Sequence, residues 1–338
     1  MEREDRIVNF KLEKPDFLLE SQRKQKGFNV FLEILLFIGL FFISQTATGL
    51  VTGIPLTCYI LAGGGVTPTT DINALQAKIN DIAMLLGLFT QIVSIFAILG
   101  LCRLIEKRKA WTLGFKKRHM LKEYGIGMLA GFLMMAVAVA AGLITGALKI
   151  RFNQEILQPK VFGIMVLYFF GFLIQGMNEE VLCRGYFLTS LARKKGNVWM
   201  GIIVSALVFA ALPLGNPGIG VLSFCNLTLF GIFAGVYYIK RGDLWGIGAL
   251  HSLWNFTQGN VFGVLVSGLR TPGSLFLADP VEKLNILNGG TFGLEGGLIV
   301  TVILVVGTLL LLKLPQKDVA AEEIVPAETA VPEPTAAE

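Results

Sequence analysis

Residues 161–190 read VFGIMVLYFFGFLIQGMNEEVLCRGYFLTS. From Val161 to Ile174 no charged or amide side chain interrupts the run. Then comes Gln175-Gly176-Met177-Asn178-Glu179-Glu180-Val181-Leu182-Cys183-Arg184. A helix needs about twenty apolar residues to cross a bilayer's hydrocarbon core, and this block has the length. Two adjacent carboxylates and an arginine at that depth are expensive, which makes them functional candidates. Glu180 and Arg184 stand four apart with the acid N-terminal, so on a helix they share a face and can pair. Glu179 is turned about 100° from its neighbour. It is free to face a cavity and take a proton from water, while Glu180 stays in the ion pair.

The rest of the chain fits a bundle of such blocks. Of 338 residues 54% are hydrophobic and only 16% charged, with 25 Phe and 39 Gly; the mean hydropathy is +0.66. A soluble globule lacks the interior to hide that much apolar surface. Eight apolar segments lie at 29–55, 81–105, 124–148, 161–190, 198–213, 219–239, 244–266 and 294–312. They predict an all-α, polytopic integral membrane protein of about eight transmembrane helices, and exclude a disordered chain, a disulfide scaffold and a soluble enzyme. Of the 29 Lys and Arg, 22 fall in the loops on the side of the N-terminus and 6 on the other. By the positive-inside rule both termini are expected in the cytoplasm. The net charge of +5 therefore belongs to loops such as 103–123, which faces anionic lipid, and nucleic acid is not an expected partner. The first 27 residues are too long and too acidic for a signal-peptide leader, so the first segment is expected to remain as a membrane helix. From Lys317 onward, Ala, Pro and Glu predict a disordered tail.

The seventh segment adds His251-Ser252-Leu253-Trp254-Asn255. His251 and Asn255 are four apart on one helix face, where both can hold a water or orient a carbonyl oxygen. A lone His in an apolar helix is more often a packing residue. Glu179, His251 and Asn255 converging on one membrane interior make catalysis the better reading.

These residues resemble the CPBP family, the CAAX protease and bacteriocin-processing or Abi proteins, which are intramembrane endopeptidases related to the type II CAAX prenyl protease. The resemblance rests on Glu179-Glu180-x-x-x-Arg184, Phe209, the Gly-Asn-Pro-Gly turn at 215–218, and the run Leu244-Trp245-x-x-Gly248-x-x-His251 with Asn255. It covers roughly 120–312. It implies that Glu179 activates a water, that Glu180 pairs with Arg184, and that His251 and Asn255 shape the site around the scissile carbonyl. One motif departs. The family has Phe-x-x-x-His in the next helix, and here Phe209 is followed by Pro213, which offers neither a proton nor a lone-pair nitrogen. Loss of such a group commonly lowers activity by a factor of about 10² to 10⁴.

The resulting domain division is a cytoplasmic segment at 1–27, N-terminal transmembrane helices at 28–119, a protease-like core at 120–312 and the tail at 313–338. The expected function is hydrolysis of a peptide bond in a membrane-associated protein or peptide, weakened by Pro213. Two rivals remain: an inactive relative that binds a membrane peptide or confers immunity, and a transporter with a buried charge relay. The family is often called metal-dependent, but the chain lacks a His-Glu-x-x-His motif, and His251 with Glu179 offers at most two good ligands where catalytic zinc takes three. No metal or cofactor is expected. Gly63-Gly64-Gly65 lacks the Lys and Ser/Thr of a phosphate loop, so no nucleotide is expected either. The bilayer is the other partner, with a bacterial plasma membrane as the expected location. Cys58, Cys102, Cys183 and Cys225 are expected to be free thiols, and Cys183, lacking a local His, a packing residue. Glu33 is expected to reach the interface. Glu295 is expected at the N-terminus of the last helix or at the mouth of the cavity.

Overall fold

The computed structural model describes residues 11–23, 28–61, 72–193 and 197–317. The tail beyond Lys317, the glycine run at 63–65 and residues 1–10 lie outside them. The apolar blocks form helices because a backbone away from water must satisfy its own N–H and C=O groups. After the short α1 (Asp16–Arg23) come α2 (Val30–Leu61), α3 (Ile72–Gly100) and α4 (Met120–Ile144). The next block is α5 (Pro159–Glu180), which continues through a wider π-helical stretch, Val181–Leu188, into α6 (Thr189–Ala192). Then follow α7 (Val198–Ala211), α8 (Val221–Arg241) and α9 (Trp245–Phe256), which ends in a second π turn, Thr257–Val261. The short α10 (Asn285–Asn288) precedes α11 (Leu298–Lys313).

Among the described residues, five helical spans are long and apolar enough to cross a membrane: Val30–Ile54, Ile79–Ile105, Met120–Ile144, Pro159–Ala192 and Val221–Arg241. Val198–Ala211 and Leu298–Lys313 are apolar but shorter. The chain is a multi-pass, all-α membrane protein. Among the described residues the one sheet is a two-stranded antiparallel ribbon, β1 (Leu148–Phe152) with β2 (Phe276–Pro280), in the register Leu148 to Pro280 and Phe152 to Phe276. The segment expected to run helically to 148 thus stops at Ile144, and the 267–293 loop is tied down by this ribbon and by 3₁₀ turns.

Local sequence explains the joints. Pro159 opens α5 at a position where its missing N–H costs nothing. The Asn197 side chain accepts the Trp199 N–H at the start of α7. Gly242, at φ +69°, closes α8 in the left-handed conformation, so α9 can begin three residues later. Glycine also sets the depth of α9. An added Cβ on Gly176 of α5 would lie 2.5 Å from the backbone N of Ser252, and Gly127 and Gly131 of α4 meet the carbonyls of Gly246 and Leu250. The helix carrying His251 is wedged between two glycine faces.

One expectation about charged groups is corrected and another extended. Glu33 does not reach an interface: it is fully buried, bonded to Arg193 at 2.8 Å and to the Tyr186 hydroxyl at 2.8 Å. The 103–123 loop, expected as a basic loop that meets anionic lipid, also turns charged residues inward. Arg108 is 1% exposed, pairs with Glu106 at 3.0 Å and donates to Thr189 at 2.9 Å. Arg193 bridges the groups, 3.1 Å from Glu106. At this end of the bundle a buried charge network binds α2 and the loop after α3 to the end of the α5–α6 helix. Opposite charges satisfy one another where helix ends must pack without water. Segments assigned to separate N-terminal and core units share this network.

Candidate active site

Helices α5, α7, α8 and α9 enclose a cavity of about 350 Å³, closed further by α2, α3 and the loops at 266–269 and 294–296. Glu179, Pro213, His251 and Asn255 all line it. Glu180 and Arg184 stand behind that lining, each fully buried.

The helix phase separates the two carboxylates. Glu179 keeps 26% of its side chain exposed and turns to the cavity, while Glu180 turns inward. Arg184 Nη1 lies 2.8 Å from Glu180 Oε1, and Nη2 donates to the Gly231 carbonyl of α8 at 3.2 Å. The guanidinium also lies over the Phe209 ring, 4.7 Å from its centroid. His251 Nδ1 reaches the same Glu180 oxygen at 2.8 Å, and its Nε2 lies 3.8 Å from Glu179 Oε2. The imidazole is therefore bracketed by consecutive carboxylates. Glu180 Oε1 already accepts from Arg184, so the geometry suits an Nδ1–H that donates to the same oxygen. Phe230 and Phe209 pack edge-on against the ring, with centroids at 4.9 and 5.8 Å, and fix its plane.

Sequence reasoning missed Gln175. Its Nε2 donates to Glu179 Oε1 at 2.5 Å, and its Oε1 accepts Asn255 Nδ2 at 2.9 Å. One amide thus orients the glutamate and ties it to the α9 motif. The signal was available: Gln175 lies four residues before Glu179 and Asn255 four after His251, so each pair occupies one helix face. Asn178 is bonded to Gln91 of α3 at 3.0 Å, which links the site to the N-terminal helices.

Pro213 lies two residues past the end of α7, four beyond Phe209, and lines the cavity without a polar side chain. Glu295 is not the first residue of the last helix. It lies in a 3₁₀ turn, Leu294–Gly296, before α11, and its carboxylate lines the cavity. Cys102 and Cys183 are buried, and all four cysteines are unpaired.

The donor set does not fit a resident metal. His251 Nδ1 is engaged by Glu180, and Glu180 by Arg184, which leaves Glu179, His251 Nε2 and Glu295 facing the cavity, the last already held by Ser267 and Trp254. Three protein ligands are the usual catalytic zinc set, and among the described residues no group of three His, Cys, Asp or Glu is placed to hold an ion.

Residues 161–257 match the family model described as type II CAAX prenyl endopeptidase Rce1-like. The matched stretch runs from α5 through α9 and includes Glu179, Glu180, Arg184, Pro213, His251 and Asn255. No curated protein and no solved structure matches the chain. An Rce1-like domain within a multi-pass helical bundle agrees with the CPBP resemblance and supports, at the level of the family, a CAAX-protease-like membrane endopeptidase.

Proposed function

We propose that the protein is an intramembrane endopeptidase of the CPBP type, hydrolysing a peptide bond of a membrane-associated protein or peptide by a glutamate-activated water. The observation that carries this is the 3.8 Å gap between Glu179 Oε2 and His251 Nε2 in the cavity wall. It is too long for a hydrogen bond and suited to a single bridging water.

Glu179 Oε1 is occupied by Gln175, so Oε2 is the basic oxygen. It takes a proton as the water oxygen attacks the carbonyl carbon. Negative charge then collects on the carbonyl oxygen. His251, held as an imidazolium by Glu180 at Nδ1, donates its Nε2–H to that oxygen, and the second N–H of Asn255 supports it. Glu179 passes its proton to the leaving nitrogen as the C–N bond breaks, which restores the carboxylate and releases two shorter chains. Glu180 and Arg184 do not touch substrate in this scheme; they hold the imidazole. The excess of Lys and Arg in the loops on the side of the N-terminus supports a reading with both termini in the cytoplasm, in a bacterial plasma membrane.

The test is to profile new N-termini in membranes of cells expressing wild type or Glu179→Ala at equal levels. Fragments found only with wild type support the proposal and name substrates. Their absence, in a host that makes the native substrates, refutes it and leaves the second reading, a peptide-binding relative that does not cut. Pro213 in the cavity wall favours that second reading.

A further inference from the structure

The cavity contains a second carboxylate that the proposed reaction leaves unused. Glu295 is 8% exposed. Neutral donors hold it: the Ser267 N–H at 2.7 Å and hydroxyl at 2.9 Å reach Oε2, and Trp254 Nε1 reaches Oε1 at 3.3 Å. Among the described residues no Lys or Arg forms an ion pair with it.

The support for this carboxylate is built. Ser267 adopts φ +46°, unusual for a residue with a Cβ, and both of its donors converge on one oxygen. Backbone strain of this kind persists where the surroundings over-determine it, and it concentrates at ligand sites. The next residue, Gly268, is left-handed at φ +83° and sits against the Pro217 carbonyl, where no Cβ fits. The turn is thus locked between the α7–α8 loop and Glu295. Arg184, the nearest strong cation of the motif, is screened behind Phe209 and does not line the cavity. The lining holds two carboxylates, Glu179 and Glu295, against the single positive charge of His251, which Glu179 and Glu180 already bracket. A buried carboxylate presented by neutral donors calls for a positive charge from the ligand.

We propose that Glu295, positioned by Ser267 and Trp254, is a specificity subsite that binds a cationic group of the peptide in the cavity, a lysine or arginine side chain or a free ammonium. This deepens the proposed function and rests on its reading of the cavity as a peptide site.

The experiment uses the full-length protein carrying Glu179→Gln, so that nothing is cut, in phosphatidylcholine nanodiscs without net lipid charge. The probes are two labelled hydrophobic peptides, identical except for one lysine or one norleucine, and the readout is equilibrium binding by anisotropy. The lysine peptide should bind about tenfold tighter. Adding Glu295→Gln should erase the ratio while leaving the norleucine peptide's affinity unchanged. A lysine preference that survives Glu295→Gln, no preference at all, or no binding of either peptide overturns the proposal. If Glu295→Gln lowers the melting temperature, Ser267→Ala carries the test, because it removes one donor and should reduce the ratio. Since binding is measured, a failure here is distinct from an absence of Glu179-dependent fragments.

Discussion

His251 Nδ1 lies 2.8 Å from Glu180 Oε1, the same oxygen that Arg184 Nη1 meets at 2.8 Å. One carboxylate oxygen from α5 therefore ties the imidazole of α9 to the arginine one helical turn below. Removing any member exposes the other two to an unbalanced charge in a place water does not reach.

Arg184→Ala should for that reason destabilise the bundle by about 3–5 kcal/mol, the range for stranding one partner of a buried ion pair. Thermal unfolding in detergent should show a lower midpoint, and yield from membranes should fall. A variant that accumulates and melts like wild type would disprove the pairing role.

Gln175→Leu keeps the volume near Glu179 but removes both amide bonds. If Gln175 fixes the basic carboxylate, the cleavage rate should fall by about 10- to 100-fold through kcat, with KM and melting temperature nearly unchanged. A rise in KM alone would assign Gln175 to substrate binding.

Pro213→His places an imidazole one turn beyond Phe209. Proline there lies past the last residue of α7, so its replacement breaks no helical hydrogen bond. Proteolysis should rise by about tenfold or more. An unchanged rate would show that this position does not address the reacting carbonyl.

Asp243, in the turn between α8 and α9, accepts the Gly246 N–H at 3.0 Å while its other oxygen is buried without a partner. Burial, reinforced by the Glu123 carboxylate, pushes its pKa up to about 6 against the pull of the Gly246 N–H, Lys317 and Arg241. The folded state therefore binds this proton more tightly than the unfolded chain. The stability it confers is full below about pH 4 and is lost as pH rises through about 6. Asp243→Asn keeps an acceptor for Gly246 and removes the charge. It should raise stability at pH 8 by on the order of 2–3 kcal/mol, and flatten the melting temperature between pH 4 and 7. A variant that keeps the wild-type slope would locate the titration elsewhere.

Arg193→Met removes the cation paired with Glu33 and one of the two paired with Glu106, which keeps Arg108. The expected loss is at least about 3 kcal/mol, and it should be partly recovered in Glu33→Gln/Arg193→Met. Additive single effects in that double-mutant cycle would show that the pair does not interact.

The sequence shows the helical architecture and the Glu180–Arg184 spacing because both follow from periods within one segment. An apolar block of sufficient length and a separation of four residues each have a direct geometric meaning. Glu33 with Arg193 has none: 160 positions separate them, and each alone reads as a charge near a helix end. The β-ribbon was hidden for a similar reason. Lys149, Ile150, Arg151 and Phe152 alternate as a strand does, but the partner strand comes more than a hundred residues later. Glu295 was legible as a polar residue near a helix start, whereas its orientation depends on Ser267 adopting a backbone conformation that no side-chain pattern announces. The π stretches after Glu180 and Phe256 likewise leave no composition signal, though both adjoin the polar groups of the cavity.

The glycine contacts on both flanks of α9 have a consequence for the lipid around the protein. With backbone against backbone on two sides, this helix can neither roll nor slide without displacing its neighbours. Changes in bilayer thickness or lateral pressure fall first on the outward faces of α2, α3 and α11, whose apolar side chains are broadly exposed. The placement of His251 and Asn255 against α5 is thereby held by backbone packing, and should persist across membranes of different composition even where the α2 and α3 walls of the cavity shift.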